Sequence, residues 1–256
     1  MTFEYISVEE AIKRPGVRMV VVGDVPSPWG EAAKGILHMK GIAWDAVRLT
    51  YDSELLKDWA GQRSGPVLIY NNERPRSGWA EILLFAERHV PAPPLLPKDP
   101  TERALVFGLA HEICGEDGLG WSRRLQLIDA GLNNRGGFPE RVSKYLARKY
   151  GYSPNAGAAA GTRVADLLGM LVARLKAQRE AGSRYYVGGV LTAADIYSAT
   201  FAAMFVPLPE QQCKMDAATR AAFESRDAQI ATAPDSILFE HRDMIYEKYL
   251  ELPLSL

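Results

Sequence analysis

Two cysteines, Cys114 and Cys213, are all that 256 residues contain. That is too few for a disulfide framework or a cysteine zinc centre, and it points to a reducing compartment. A surplus of charge is missing as well. Lysine and arginine number 30 against 31 acidic residues, a net charge of −1, so there is no electrostatic footprint for nucleic acid or an anionic membrane surface. The opening MTFEYISVEEAIKRPG lacks the apolar stretch of a signal peptide. No apolar run approaches the roughly 18 residues of a membrane span. The expectation is a cytosolic protein with neither a nucleic-acid nor a membrane partner.

Several catalytic signatures are missing too. His38, His89, His111 and His241 are scattered, and His111-Glu112 has no second histidine to complete a zinc helix. No metal site is expected. His241-Arg242-Asp243 matches a kinase tripeptide by letters only, without a glycine-rich loop, and there is no G-x-S-x-G elbow. What is present is 47% apolar residues, enough for a real core in one large domain or two ordinary ones.

The first 90 residues alternate strand and helix signals. Ser7-Val8-Glu9-Glu10 has the form of a capping box before a short helix. Met19–Val22 reads as a buried strand, Trp44–Leu49 as a second and Val67–Tyr70 as a third entered through Gly65-Pro66, with a weak fourth at Glu73–Arg76. Between them, Pro28 opens a helix that Gly41 closes, and Glu54–Ala60 forms a short helix closed by Gly61. Trp79, Ile82, Leu83, Ala86 and Val90 make an amphipathic stripe. This order, βαβ–α–ββα, implies a sheet with one parallel and one antiparallel pair.

Pro91, Pro93, Pro94, Pro97 and Pro100 then stiffen ten residues into a linker. Beyond it, helical periodicity prevails, with Val164, Leu167, Leu168, Leu171 and Leu175 on one stripe. Thr192-Ala193-Ala194-Asp195 is a capping box, flanked by Leu191 and Ile196 at the positions of a hydrophobic staple. The division is therefore 1–90, a linker 91–100, and an all-helical 101–256.

A small α/β domain, a proline linker and a helical domain carrying YYVGGVLTAADIYSA together resemble the cytosolic glutathione transferase superfamily, over about Arg18 to Leu252. The resemblance implies a thioredoxin-like N-terminal domain joined to an all-α one, and glutathione as co-substrate. It further implies a small electrophile as the second substrate, and a homodimer. SGPVLI matches the strand that this family enters through a cis proline, which makes Gly65 and Pro66 cofactor-binding positions. Ser27-Pro28-Trp29 looks like the Cys-Pro-Phe turn of omega-like members, with serine in place of cysteine.

Glutathione chemistry needs a thiolate, and a free thiol with a pKa near 8.5 is largely protonated at neutral pH. Lowering that value by about two units takes roughly 2.7 kcal/mol of selective anion stabilisation. A hydrogen bond to a charged group contributes ~1.5–3 kcal/mol, and a helix N-terminus ~0.3–1 kcal/mol. One hydroxyl at one helix end reaches the required size without a metal. Ser27, at the N-cap before Pro28, offers both, so it is read either as the catalytic donor to sulfur or as an ordinary cap. Trp29 is read as core or as part of the cofactor wall.

By resemblance the tripeptide's other end falls on Ser77 and Gly78. There the chain reads Ser77-Gly78-Trp79-Ala80-Glu81, where relatives carry an acidic residue and a serine. Arg74 and Arg76 lie close by as alternative carboxylate contacts or solvated charges. Trp121, Arg123 and Arg124 fall where an electrophile would be walled, with Trp121 and Arg124 the substrate-binding candidates. A disulfide exchange enzyme is disfavoured because both cysteines lie in the helical part. A non-catalytic binding or scaffolding protein on the same fold remains the rival.

Overall fold

The computed structural model describes residues 3–225 and 235–256. Four strands form one sheet in the order β1-β3-β2-β4, with β1 at Tyr5–Ile6, β2 at Val17–Val21, β3 at Trp44–Arg48 and β4 at Val67–Tyr70. β1 and β2 both run parallel to β3, and β4 is antiparallel to β2, with Met19 opposite both Ala46 and Leu68. Helix α2 (Pro28–Met39) supplies the right-handed crossover expected between the parallel strands β2 and β3. The two-residue β1 was not anticipated. In place of the expected fourth strand at 73–76, only Arg76 pairs, by exchanging both backbone hydrogen bonds with Leu68.

Helices α1 (Val8–Lys13) and α3 (Glu54–Ala60) cover one sheet face, burying Val8, Ala11, Leu56 and Ala60 against Val20, Val47, Val67 and Ile69. Ser7 and Ser53 cap these two helices, their Oγ atoms accepting from Glu10 N and Leu56 N at 3.1 Å each. Gly61 closes α3 in the left-handed region, at φ 74°. On the other face, α2 and α4 (Trp79–His89) join a larger core that continues into the helices of the second part.

Those helices are α5 (Pro100–Cys114), α6 (Leu119–Leu132), α7 (Glu140–Lys149), α8 (Pro154–Glu180), α9 (Ala193–Ala202), α10 (Ala217–Glu224) and α11 (Ser236–Tyr249). Pro100 belongs to α5 rather than to the linker, because at N1 the missing N–H costs nothing and Asp99 supplies the cap. The proline segment is fixed to α2 and α4. The buried Lys40 pairs with Glu87 and donates to the Pro93 carbonyl at 2.6 Å, and Glu87 accepts the Leu95 N–H at 2.9 Å. Helix α8 is long and apolar enough to cross a membrane by length and composition, but its stripe from Val164 to Leu175 is buried in the core beside α6 and α11.

Helix α9 sits at the centre, against α2, α5 and α11. Asp195, fully buried, fixes its start. One carboxylate oxygen accepts from the N–H and the hydroxyl of Thr192 at 2.8 and 2.9 Å. The other accepts from Tyr186 N at 2.9 Å and lies 3.0 Å from His241 Nε2. The four groups leave no lone pair of this carboxylate idle, as burial demands. His241, one of the scattered histidines, is thus a core residue.

Candidate active site between the sheet and the helices

A cavity of about 1030 Å³ opens between the α/β part and the helices α5, α6, α7 and α10. Its size suits a tripeptide-sized ligand beside a second small molecule. Ser27, Trp29, Gly65, Pro66, Ser77, Trp121 and Arg124 all line it, although they come from four separate segments.

Ser27 occupies the N-cap of α2, with Pro28 at N1, yet its hydroxyl makes no cap hydrogen bond. Its carbonyl accepts the Glu31 N–H at 2.8 Å, so the helix starts normally without the side chain. The hydroxyl therefore keeps its full donor and acceptor capacity on the cavity wall. Trp29 serves both readings. It is half-buried on the wall, its Nε1–H donates to the Cys114 carbonyl at 2.9 Å, and its ring meets Phe201 edge-on at 4.8 Å. One side chain thus ties α2 to α5 and α9.

The Gly65–Pro66 bond is cis, and Gly65 lies close enough to β2 that an added Cβ would sit 3.3 Å from the Val20 carbonyl oxygen. Ser77 lines the cavity, but Gly78 stands apart from the wall. The Gly78 N–H donates to Glu81 Oε2 at 3.2 Å, and Glu81 Oε1 pairs with Arg74 at 2.8 Å. The Arg74 hydrogen bond, then the Gly78 and Ser77 N–H groups, hold the Glu81 carboxyl below its ordinary range against an opposing effect of burial. The α4 terminus, an anion site by nature, thus carries an anion of its own. Arg76 is committed elsewhere, paired with Glu73 and stacked 5.1 Å from Phe85.

Among the electrophile candidates, Arg123 is a core residue. It is 1% exposed and donates to Gln126 Oε1, the Phe223 carbonyl and the Ser225 carbonyl at 2.7, 2.9 and 2.6 Å. Trp121 and Arg124 do face the cavity. Sequence reasoning missed Tyr51, Ser64, Tyr145, Lys149 and Tyr150, which line the same space. The edge-on pairs Trp121–Tyr150 at 4.8 Å and Tyr51–Tyr145 at 5.3 Å make much of this end aromatic.

Cys114 also borders the cavity, but it is 3% exposed and burial pushes its thiol well above the ordinary value. Cys213 is buried too, its thiol pushed up to about 11, chiefly by desolvation. Neither is poised as a nucleophile.

No family model and no curated protein matches the sequence. Solved structures do match in shape. A glutathione transferase family member from Pseudomonas fluorescens with two glutathione bound is 14% identical, at a TM-score of 0.63 over 94% of each chain. A glutathione S-transferase from Methylobacterium radiotolerans in complex with glutathione sulfonate is 19% identical, at 0.56 over 91% of each. Glutathione transferase Omega 3C from Trametes versicolor is 17% identical, at 0.53 over 90% of this chain and 91% of that one. This chain therefore has the two-part fold of the cytosolic glutathione transferases, a thioredoxin-like sheet domain followed by an all-helical one.

Proposed function

We propose that this protein is a glutathione transferase-like enzyme that conjugates, cleaves or isomerises a small electrophile with glutathione as co-substrate and without a metal. One observation carries the reading. The Ser27 hydroxyl makes no cap hydrogen bond and has no partner among the described residues at the N-terminus of α2, on the wall of a cavity it shares with Gly65, Pro66 and Ser77. Glutathione supplies the thiol nucleophile. The Ser27 O–H donates a hydrogen bond that favours the sulfur anion, and the α2 terminus adds its partial positive charge. Trp29, Gly65, Pro66 and Ser77 hold the tripeptide, and Trp121 and Arg124 face the electrophile. The protein works as a homodimer in a reducing cytoplasm, with the proline segment 91–99 linking a sheet domain, 1–90, to a helical one that begins at Pro100.

The residues fit the thiol end of glutathione better than its glutamyl end, where Glu81 already engages the Gly78 N–H. That contact favours a second reading, a binding or scaffolding protein of the same fold without turnover. Calorimetric titration with millimolar glutathione, followed by an aryl-halide conjugation assay on wild type and Ser27→Ala, separates them. Binding with turnover that falls at least ten-fold in Ser27→Ala supports the enzyme. Binding without turnover supports the second reading, and no binding at all overturns both as glutathione proteins.

A further inference from the structure

Arg124 is 7% exposed, yet its guanidinium has no carboxylate within 4.0 Å among the described residues. Aromatic rings support it instead, with its central carbon 5.2 Å from the Phe138 ring and 5.4 Å from that of Phe223. The polar groups that face it are the hydroxyls of Tyr150 and Tyr51. Lys149, one residue before Tyr150, adds a second cation to the same wall, its Nζ donating to Ser64 Oγ at 2.7 Å. Desolvation first, then the Arg124 charge, hold the Lys149 ammonium below its ordinary range. Two cations close enough to repel one another thus share an aromatic corner with no acid between them. The carboxylates on the cavity lining lie elsewhere: Asp216 is engaged by Thr219 N and Oγ1 at 2.9 and 2.6 Å, and Glu116 forms no ion pair with either cation. A charge held this far from water calls for a counter-charge, and here the ligand is what can bring it.

We propose that this end of the cavity selects an electrophile carrying a carboxylate, with the anion at Arg124, Lys149 and the Tyr150 hydroxyl and the apolar body against Trp121 and Tyr145. The inference rests on the reading of this cavity as a transferase site and narrows its substrate class to aromatic or otherwise apolar acids. A planar carboxylate matches the guanidinium fork, and Tyr150, whose phenol burial keeps protonated, is a donor rather than a competing anion.

The probe is 4-chloro-3-nitrobenzoate set against its methyl ester, titrated calorimetrically into the whole protein with and without saturating glutathione. The acid is expected to bind at least ten-fold more tightly than the ester. That preference should vanish in Arg124→Gln and shrink several-fold in Lys149→Gln, a more exposed position that tolerates change should the buried variant fail to fold. Equal binding of acid and ester, or an acid preference unchanged in the variants, overturns the proposal. Displacement of the acid by glutathione also overturns it, because the anion site then belongs to a carboxylate of glutathione itself. A turnover arm follows chloride release as the C–S bond forms and the thiol proton passes to solvent. An acid preference without any glutathione binding leaves this inference standing and removes the transferase reading.

Discussion

Glu81 reaches back to the N–H of Gly78 at 3.2 Å and so places a carboxylate of the chain itself on the N-terminus of α4. Glycine at the N-cap has no side chain to do this, and Glu81 at N3 with Arg74 behind it stands in. A ligand carboxylate arriving at Ser77 must therefore compete with it. Glu81→Ala is expected to lower the glutathione Kd by about two- to five-fold, the size of a helix-end interaction of ~0.3–1 kcal/mol. Titration calorimetry reads this directly, and a Kd that rises would show Glu81 to be part of the binding site. The pH dependence has a definite sign. With its folded pKa lowered, Glu81 stabilises the fold above the unfolded carboxylate range near ~4.3 and loses that contribution as pH falls through the folded value.

Ser27 and Ser53 occupy the same formal position in two helices but do different things. Ser53 Oγ accepts the Leu56 N–H at 3.1 Å, whereas Ser27 Oγ makes no cap bond. Ser53→Ala should cost about 1 kcal/mol of stability with activity retained. Ser27→Ala should cost less than about 0.5 kcal/mol while removing most of kcat/KM. Parallel thermal unfolding and steady-state kinetics make the comparison. Equal destabilisation of the two variants would return Ser27 to the role of a plain cap.

The thiols should be silent in the native protein. Cys114 and Cys213 are 3% and 1% exposed, and burial raises both pKa values, that of Cys213 to about 11. At pH 8 a chromogenic disulfide reagent is expected to label neither cysteine until denaturant is added, and then both. A raised thiol pKa also sets the sign of the alkaline response. The stability associated with Cys213 is complete below the unfolded thiol pKa near ~8.5 and declines as pH rises from there towards the folded value. Rapid labelling of the folded protein would refute this burial and reopen disulfide chemistry.

Local signals were the legible ones. Ser7 and Gly61 set helix ends by local means, a cap bond within three residues and a left-handed backbone, and the stripe from Val164 to Leu175 announced a buried helix. The pairing of Thr192 with Asp195 was equally local, but the third and fourth partners of Asp195, Tyr186 and His241, lie outside that window. Strand β1 escaped notice because two residues carry no periodicity and owe their conformation to Ala46 and Val47, some 40 positions on. The basic corner of the cavity was half legible. Arg124 lies on a helix whose position followed from the family pattern, whereas Lys149 and Tyr150 end α7, whose polar sequence shows little sign of a site and which reaches the cavity only by tertiary packing.

The joint between the two parts depends on an absent side chain. A Cβ on Gly120 of α6 would lie 2.3 Å from Phe201 Cε1 and 3.0 Å from Trp29 Cη2, so glycine is what lets these rings meet over the helix. Gly120→Ala must displace the Phe201 ring, and with it the Trp29 ring packed edge-on against it. Phe201 is fully buried in α9, whereas Trp29 is half-buried at the cavity, so the shift should pass from the Phe201 ring to Trp29, which has room to move. Moving it strains the hydrogen bond to the Cys114 carbonyl and shifts the residue two positions from Ser27. Overpacking of this kind costs about 1–3 kcal/mol, outweighing the helix propensity of about 1 kcal/mol that alanine gains over glycine. The variant should therefore melt lower, with an altered Trp29 emission assigned by comparison with Trp29→Phe. Its KM for glutathione should rise while the fold persists. Unchanged stability and emission would mean that the joint accommodates a methyl group, and that the close approach of Phe201 and Trp29 over Gly120 does not set the position of the Ser27 turn.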